Sequence, residues 1–192
     1  MRTLSKYSTW QIEMAVTASL LRLDLLFDKQ IVEYTHYLLD NEYYDDEMLA
    51  IIDDDRLYPS NKQELFRSAI SNLGFPSVTV EQASWIYTYS IIHVCGEQPE
   101  NYYIFEDSPL DIYDKFYDFL DEDDNLQKVD EFKVLIYRLD DAHSNAKMGY
   151  VQRGYNDPKT LFILKRDFFE ICHLWLRRNQ PRIQCIFKAL YA

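Results

Sequence analysis

The sequence predicts an all-α protein, and three observations support this fold class. Apolar residues recur at helical spacing over most of the chain, and capping residues mark where these segments begin. The 192 residues include only four glycines and six prolines, which is few for a β-sandwich with its many turns. The links between segments are short, so we expect eight or nine helices in a single globular domain over residues 1–192.

Several helix starts carry a capping box, in which two side chains satisfy backbone amides reciprocally. Ser8 with Gln11 and Thr79 with Gln82 have this spacing. Asp28 is expected to cap a helix between them, before a face of Ile, Val, Thr and Leu residues. The main helical cores predicted from such signals are residues 9–26, 60–73, 80–95, 109–121 and 158–176.

Glycine and proline mark the starts and ends of the remaining predicted helices. Ser60 and Gln63 predict a third capping box, and Gly74 is expected to end that helix. Pro158 stands at a predicted first helical position, where proline loses no hydrogen bond. Pro181 is then expected to start or kink a last helix.

One segment allows a different structure. Residues 140–156 contain two glycines and read as irregular, and "KVLIYRL" with "KMGYVQR" could pair as two strands. The alternative fold is therefore an α-protein with a small β-hairpin near residues 133–153.

Charge divides the chain into an acidic body and a basic C-terminal segment. The formal net charge is −12. Residues 1–141 hold 29 acidic and 11 basic side chains, a net charge of −18, whereas residues 142–192 hold 3 and 9, a net charge of +6. Phosphate backbones would be repelled, which excludes nucleic acid as the expected ligand, whereas a basic protein would be attracted. Alternatively, the basic segment packs beside the acidic body and neutralises part of it.

The chain shows no targeting signal for a membrane or for secretion. No apolar run approaches the roughly 18 residues of a membrane span, and the N-terminal residues lack the apolar region of a signal peptide. The three cysteines have no CxxC spacing, so we expect reduced thiols in a cytoplasmic protein.

Catalytic and cofactor motifs are absent from the sequence. It contains no GxxxxGK[ST], GxGxxG, HExxH or GxSxG, so we expect no enzyme, no catalytic residues and no cofactor. Asp121, Asp123 and Asn125 have the spacing of the first ligands in a calcium loop. Leu126 and Phe132 then occupy the positions that require Gly and Glu, so no metal site is predicted.

The segment "SPLDIYDKFYDFLDEDDNL", residues 108–126, carries seven acidic side chains and one lysine. On a helix most of these carboxylates lie on one side, opposite an aromatic face. Neighbouring like charges cost about 0.2–0.5 kcal/mol per pair, so this acidic stripe is either a solvated face or a surface for a basic partner. Tyrosines in the preceding loop favour the second interpretation. The predicted partner-binding residues are Tyr102, Tyr103 and Asp107, with the acidic stripe itself: Asp111, Asp114, Asp118, Asp121, Glu122, Asp123 and Asp124.

A second segment, "DNEYYDDEMLAIIDDDRLY" at residues 40–58, repeats this acidic and aromatic composition. It follows "IVEYTHYLL", and "ASWIYTYSIIHV" comes later, before "SPLDIYDKFYDF". With an early tryptophan helix, this order resembles an all-helical family of small bacterial proteins placed among the predicted immunity proteins of polymorphic and contact-dependent toxin systems. The resemblance covers residues 8–120.

The resemblance implies a cytoplasmic protein that binds and neutralises a cognate toxin domain, and it supplies no catalytic residues. We therefore expect an immunity or antitoxin-type protein whose acidic, tyrosine-rich surface docks onto a basic toxin domain such as a nuclease. Two alternatives remain: a helical scaffold or regulatory subunit, and a metal-dependent hydrolase that uses clustered Asp and Glu.

Overall fold

The computed structural model describes residues 4–53, 58–97 and 158–192, in which every regular element is an α-helix. The predicted all-α class is confirmed for these residues. They form six helices rather than the eight or nine predicted for the whole chain. The predicted helix over residues 109–121 and the alternative hairpin near residues 133–153 lie outside the described residues. The six helices are α1 (Thr9–Arg22), α2 (Asp28–Asp40), α3 (Asp46–Asp53), α4 (Pro59–Asn72), α5 (Val80–Glu97) and α6 (Pro158–Leu190).

The chain divides into two compact units. The terminal unit comprises Met1–Ser90 with Asn179–Ala192, and the middle unit comprises Ile91–Arg178. The predicted organisation as one domain, with an acidic body at 1–141 and a basic segment at 142–192, stays a prediction.

Two of the predicted capping boxes are formed. The Ser8 amide donates to Gln11 Oε1 over 3.0 Å, and the Gln11 amide donates to Ser8 Oγ over 3.1 Å. Thr79 and Gln82 exchange the same two bonds at 2.9 and 3.2 Å. The predicted end of the first helix at residue 26 is wrong, because α1 stops at Arg22 and Asp24 takes a φ of 54° that leaves the helical region.

The starts of α2 and α4 both differ from the prediction. Phe27 rather than Asp28 is the N-cap of α2, and its amide donates to Gln30 Oε1 over 3.0 Å. The predicted box of Ser60 with Gln63 is wrong, because Pro59 already opens α4 and Gln63 Nε2 donates to the Leu26 carbonyl at 3.1 Å. A contact with the link between α1 and α2 has taken the Gln63 side chain that local spacing assigned to a cap.

The core of the terminal unit lies among α1, α2, α3 and α4. Phe66 of α4 is completely buried, and around it lie apolar side chains from the other three helices and the link after α1. Gly74 ends the α4 turn as predicted, with a φ of 78° that favours glycine. The buried core cluster is Leu21, Leu26, Ile31, Leu38, Met48, Ile51, Phe66, Ala69 and Ile70.

The last helix is longer than predicted. α6 runs for 33 residues through Pro181, so a separate helix beginning at this proline is not formed. In the terminal unit its end packs through Phe187, which is completely buried and lies 5.2 Å from the ring of Tyr7. Tyr191 Oη donates to the Gln11 carbonyl oxygen of α1.

A third contact holds this helix against α5. The Arg182 guanidinium lies 4.5 Å from the Trp85 ring centroid and pairs with the Glu81 carboxylate. We call the contacts of Arg182, Phe187 and Tyr191 the C-terminal clasp. It joins the end of the chain to α1 and α5.

In the middle unit, Cys172 and Trp175 of α6 are buried, whereas Ile163 and Leu174 are about half exposed. Cys172 is not in a disulfide, nor is the exposed Cys185 of the terminal unit. The predicted reduced thiol at Cys95 concerns a side chain outside the described ones.

No helix within residues 4–53, 58–97 and 158–192 combines the length and apolar character needed to cross a bilayer.

Candidate acidic groove

The ten partner-binding residues predicted from the sequence lie between Tyr102 and Asp124. This interval is outside the described residues, so the loop tyrosines, Asp107 and the acidic stripe stay predictions. The related acidic and aromatic segment at residues 40–58 is largely described, and it forms the end of α2 and all of α3.

A groove of about 520 Å³ lies between α1 and α2, beside this segment. Its walls carry two glutamates and several aromatic rings, and we call it the acidic groove. The residues that line it are Trp10, Ile12, Glu13, Met14, Val16, Thr17, Gln30, Glu33, Tyr34, Tyr37, Leu38 and Phe75.

Helical spacing places these side chains on facing stripes. On α1, Trp10, Glu13 and Thr17 recur every three or four residues, and on α2 Gln30, Glu33 and Tyr37 do the same. Met14 and Leu38 are buried and form an apolar floor. Each helix therefore contributes one carboxylate and aromatic surface to the groove.

A hydrogen bond joins the two walls. Tyr37 Oη donates to Glu13 Oε2 over 2.9 Å, and this bond raises the pKa of Tyr37 above its usual value of 10.0. Burial raises the pKa of Tyr34, and the Glu13 charge adds to that effect while a side-chain hydrogen bond with Thr17 opposes it. Both phenols are thus neutral at physiological pH and present ring faces beside a carboxylate.

Stacking fixes the aromatic end of the groove. The Trp10 indole lies on the Tyr43 ring with centroids 4.1 Å apart and planes 11° from parallel. Phe75 meets the same indole edge-on at 5.7 Å and 83°. Because three rings hold one another, this wall is set before any ligand arrives.

The electrostatics of the groove have one sign. Glu13 is half-buried and Glu33 is exposed. The described residues that line the groove include no Lys, Arg or His. Among the described residues, Glu33 pairs with Lys29 at 3.6 Å, and both side chains are largely exposed. Such a pair is worth about 0.3–0.5 kcal/mol and is easily exchanged.

Tyr43, which stacks on Trp10 of the groove, leads in the chain into α3 and its exposed side chains. The Tyr44 ring is 56% exposed, and its hydroxyl donates to Asp46 Oδ1 over 3.0 Å, which raises the pKa of Tyr44. Asp45 caps α3 by accepting from the Glu47 amide at 3.0 Å. Leu49 adds a 44% exposed apolar side chain. We call residues 44–49 the α3 edge.

Metal chemistry finds no support in this region. In the described ranges, no group of three His, Cys, Asp or Glu side chains is arranged to hold a metal ion. The calcium-like run at residues 121–132 lies outside them. What the groove can do chemically is bind a cation through carboxylates and aromatic faces.

The sequence predicts helices at α1 and α2 but not the groove between them. Glu13 and Tyr37 are 24 residues apart, and only the packing of the two helices brings them together. The available signal was one polar or acidic position, Glu13 on α1 and Glu33 on α2, beside each apolar stripe. No protein-family model, curated protein or solved structure matches this chain, so its own residues must carry the functional argument.

Proposed function

We propose that this protein is an immunity or antitoxin-type binding protein, which acts in the cytoplasm and neutralises a cognate toxin domain with a basic surface, such as a nuclease domain. It is proposed to act by binding and not by catalysis. The supporting observations are the acidic groove and the α3 edge, which present carboxylates and exposed tyrosines on a chain with net charge −12.

The negative charge of this surface favours association with a positively charged partner. A negative surface steers a positive partner into encounter and raises the association rate at low salt, while it repels acidic competitors. The tyrosines supply the contact energy, because a rigid amphipathic ring buries much area for little lost conformational freedom.

The regions predicted from the sequence belong to the same proposal. The acidic stripe and the loop tyrosines at residues 102–124 would add carboxylates and rings to the binding face. The resemblance over residues 8–120 to predicted immunity proteins points to the same class of partner. We also propose that the chain as a whole forms eight or nine helices.

The test begins with the genes adjacent to that of this chain: a toxin domain encoded there is produced and assayed for binding and for protection by this protein. Coexpression should restore growth of cells that produce this domain. Purified proteins should associate faster at about 50 mM than at about 300 mM NaCl, by roughly tenfold, because salt screens the steering charges.

A matched pair of variants shows whether the groove side of the protein is the binding face. Glu33→Lys and Glu64→Lys change the charge equally at exposed helical positions, and only Glu33 lines the groove. Glu33→Lys should slow association several-fold more than Glu64→Lys. Absence of both protection and binding for the wild type would refute the proposed function.

A further inference from the structure

The molecule already contains a site for one of its own arginines. In the C-terminal clasp, Arg182 lies over the Trp85 ring and pairs with Glu81, one turn earlier on the same helix. A guanidinium is well suited to this arrangement, because its flat face stacks on a ring while its edge donates to a carboxylate.

The acidic groove offers the same groups from two helices. Glu13 is held at 2.9 Å by the Tyr37 hydroxyl, so its carboxylate is oriented and its second oxygen remains available to a donor. Tyr34 and Trp10 add aromatic surface close by, and Glu33 adds a second negative charge. No described lining residue supplies the cation that Arg182 supplies in the clasp.

We propose that the acidic groove is the docking site for an arginine side chain of the basic toxin domain, held between Glu13, Glu33 and the aromatic wall. This inference rests on the proposed function and names the part of the partner that enters the groove.

The shape and chemistry of the groove favour arginine over other occupants. Its volume of about 520 Å³ falls in the range of sites that enclose a ligand, and its floor is apolar. The three methylenes of arginine suit that floor, and the guanidinium presents five donors to two carboxylates. A lysine ammonium is a compact, strongly hydrated charge and gains less from the rings. An acidic side chain would be repelled.

Entry requires little rearrangement of this protein. The Glu33 carboxylate exchanges its exposed pairing with Lys29 for the guanidinium, and Glu13 keeps the Tyr37 bond. The Trp10 wall is already fixed by Tyr43 and Phe75, so few side chains lose freedom on binding.

The first arm of the test uses a small probe and needs no toxin. Nα-acetyl-arginine amide is titrated into the full-length protein and followed by NMR of the Trp10 indole and the tyrosine rings. Nα-acetyl-citrulline amide, which has nearly the same shape without the charge, is the matched ligand. We expect saturable shifts at groove residues, with citrulline bound about tenfold more weakly.

Glu13→Gln/Glu33→Gln should weaken arginine-amide binding about tenfold, whereas Glu64→Gln should leave it unchanged. Both glutamines preserve size, and thermal melting checks that the variant is folded. Equal binding of arginine and citrulline amides, or shifts confined to other parts of the protein, would overturn the inference.

The second arm uses the toxin domain and separates the two proposals. Glu13→Gln/Glu33→Gln should raise the dissociation constant at least tenfold over Glu64→Gln. If the toxin domain binds wild type and the groove variant equally, the proposed function stands and the docking inference fails. If arginine amide binds in the groove but no toxin binds, the groove is a site for a free organic cation, and both proposals are wrong.

Discussion

Two carboxylate and aromatic pairs in the terminal unit differ in what they hold. In the C-terminal clasp, Glu81 and Trp85 bind Arg182 of the same chain. In the acidic groove, Glu13 and Tyr37 bind each other and face a space without a basic lining residue among those described. Both pairs combine a carboxylate with an aromatic ring, but among the described residues only the clasp has a basic side chain in place.

The difference separates folding from recognition. A cation supplied by the chain itself adds to the contacts that fasten α6, and evolution can keep it for stability alone. A carboxylate left beside neutral rings adds little to folding, since like charges and partial burial both weigh against it. These properties favour a binding role for the groove and a structural role for the clasp.

The largest effect should come from removing the apolar part of the clasp. Phe187 is completely buried against Tyr7, so Phe187→Ala loses buried area and leaves a cavity. We expect the free energy of unfolding to fall by about 3–5 kcal/mol, measured by urea denaturation. The neighbouring exposed Lys188→Ala should change it by less than about 0.5 kcal/mol. A loss below about 1 kcal/mol for Phe187→Ala would show that α6 is not fastened by this contact.

The polar end of the clasp should give a smaller, pH-dependent effect. Burial raises the pKa of Tyr191 to about 12. In the unfolded chain a tyrosine titrates near about 10, so above that pH the unfolded state releases its proton first and gains stability relative to the folded state. The contribution of Tyr191 is complete below about pH 10 and is lost as the pH rises through about 12.

Tyr191→Phe tests this linkage. The variant lacks the hydrogen bond to the Gln11 carbonyl and should be about 1 kcal/mol less stable at neutral pH. That difference should shrink between about pH 10 and about pH 12. Only the wild type loses stability there, because Tyr191 ionises in its unfolded state before its folded state. A difference that stays constant over this range would contradict the effect of burial. Urea denaturation at each pH provides the measurement.

These two regions also show what the sequence could predict. The boxes of Ser8 with Gln11 and Thr79 with Gln82 were predicted correctly, because a capping box is complete within four residues. Ser60 with Gln63 has the same spacing and fails, because the Leu26 carbonyl in the link between α1 and α2 accepts from the Gln63 side-chain amide. Local patterns hold where no tertiary contact competes for the same group.

Local sequence patterns could not predict the groove, for a related reason. Periodicity identifies the apolar face of α1 and of α2, but it does not state which edges of those faces meet. The pairing of Glu13 with Tyr37 depends on how α1 and α2 are placed in the folded chain, where both helices contact α4. The end of α1 was misplaced similarly, since the positive φ of Asp24 is a feature of the link to α2 and not of the helix itself.

The smallest stability effect should distinguish the two carboxylates directly. Glu81→Gln weakens the ion pair with Arg182 in the clasp and should cost about 0.5–1 kcal/mol, reduced by salt because the pair is exposed. Glu13→Gln keeps an acceptor oxygen for the Tyr37 hydroxyl and removes no internal cation contact, so it should cost less than about 0.5 kcal/mol.

The same Glu13→Gln change should lower the pKa of Tyr37 towards its usual value, because the bond to a charged carboxylate is the main cause of its elevation. Urea denaturation at low and high salt measures the stabilities, and NMR titration of the tyrosine ring measures the pKa. If Glu13→Gln destabilises the protein as much as Glu81→Gln, the groove carboxylate is part of the fold. If the cost is small while the pKa falls, Glu13 is a charge that the fold tolerates and leaves available to a cationic partner.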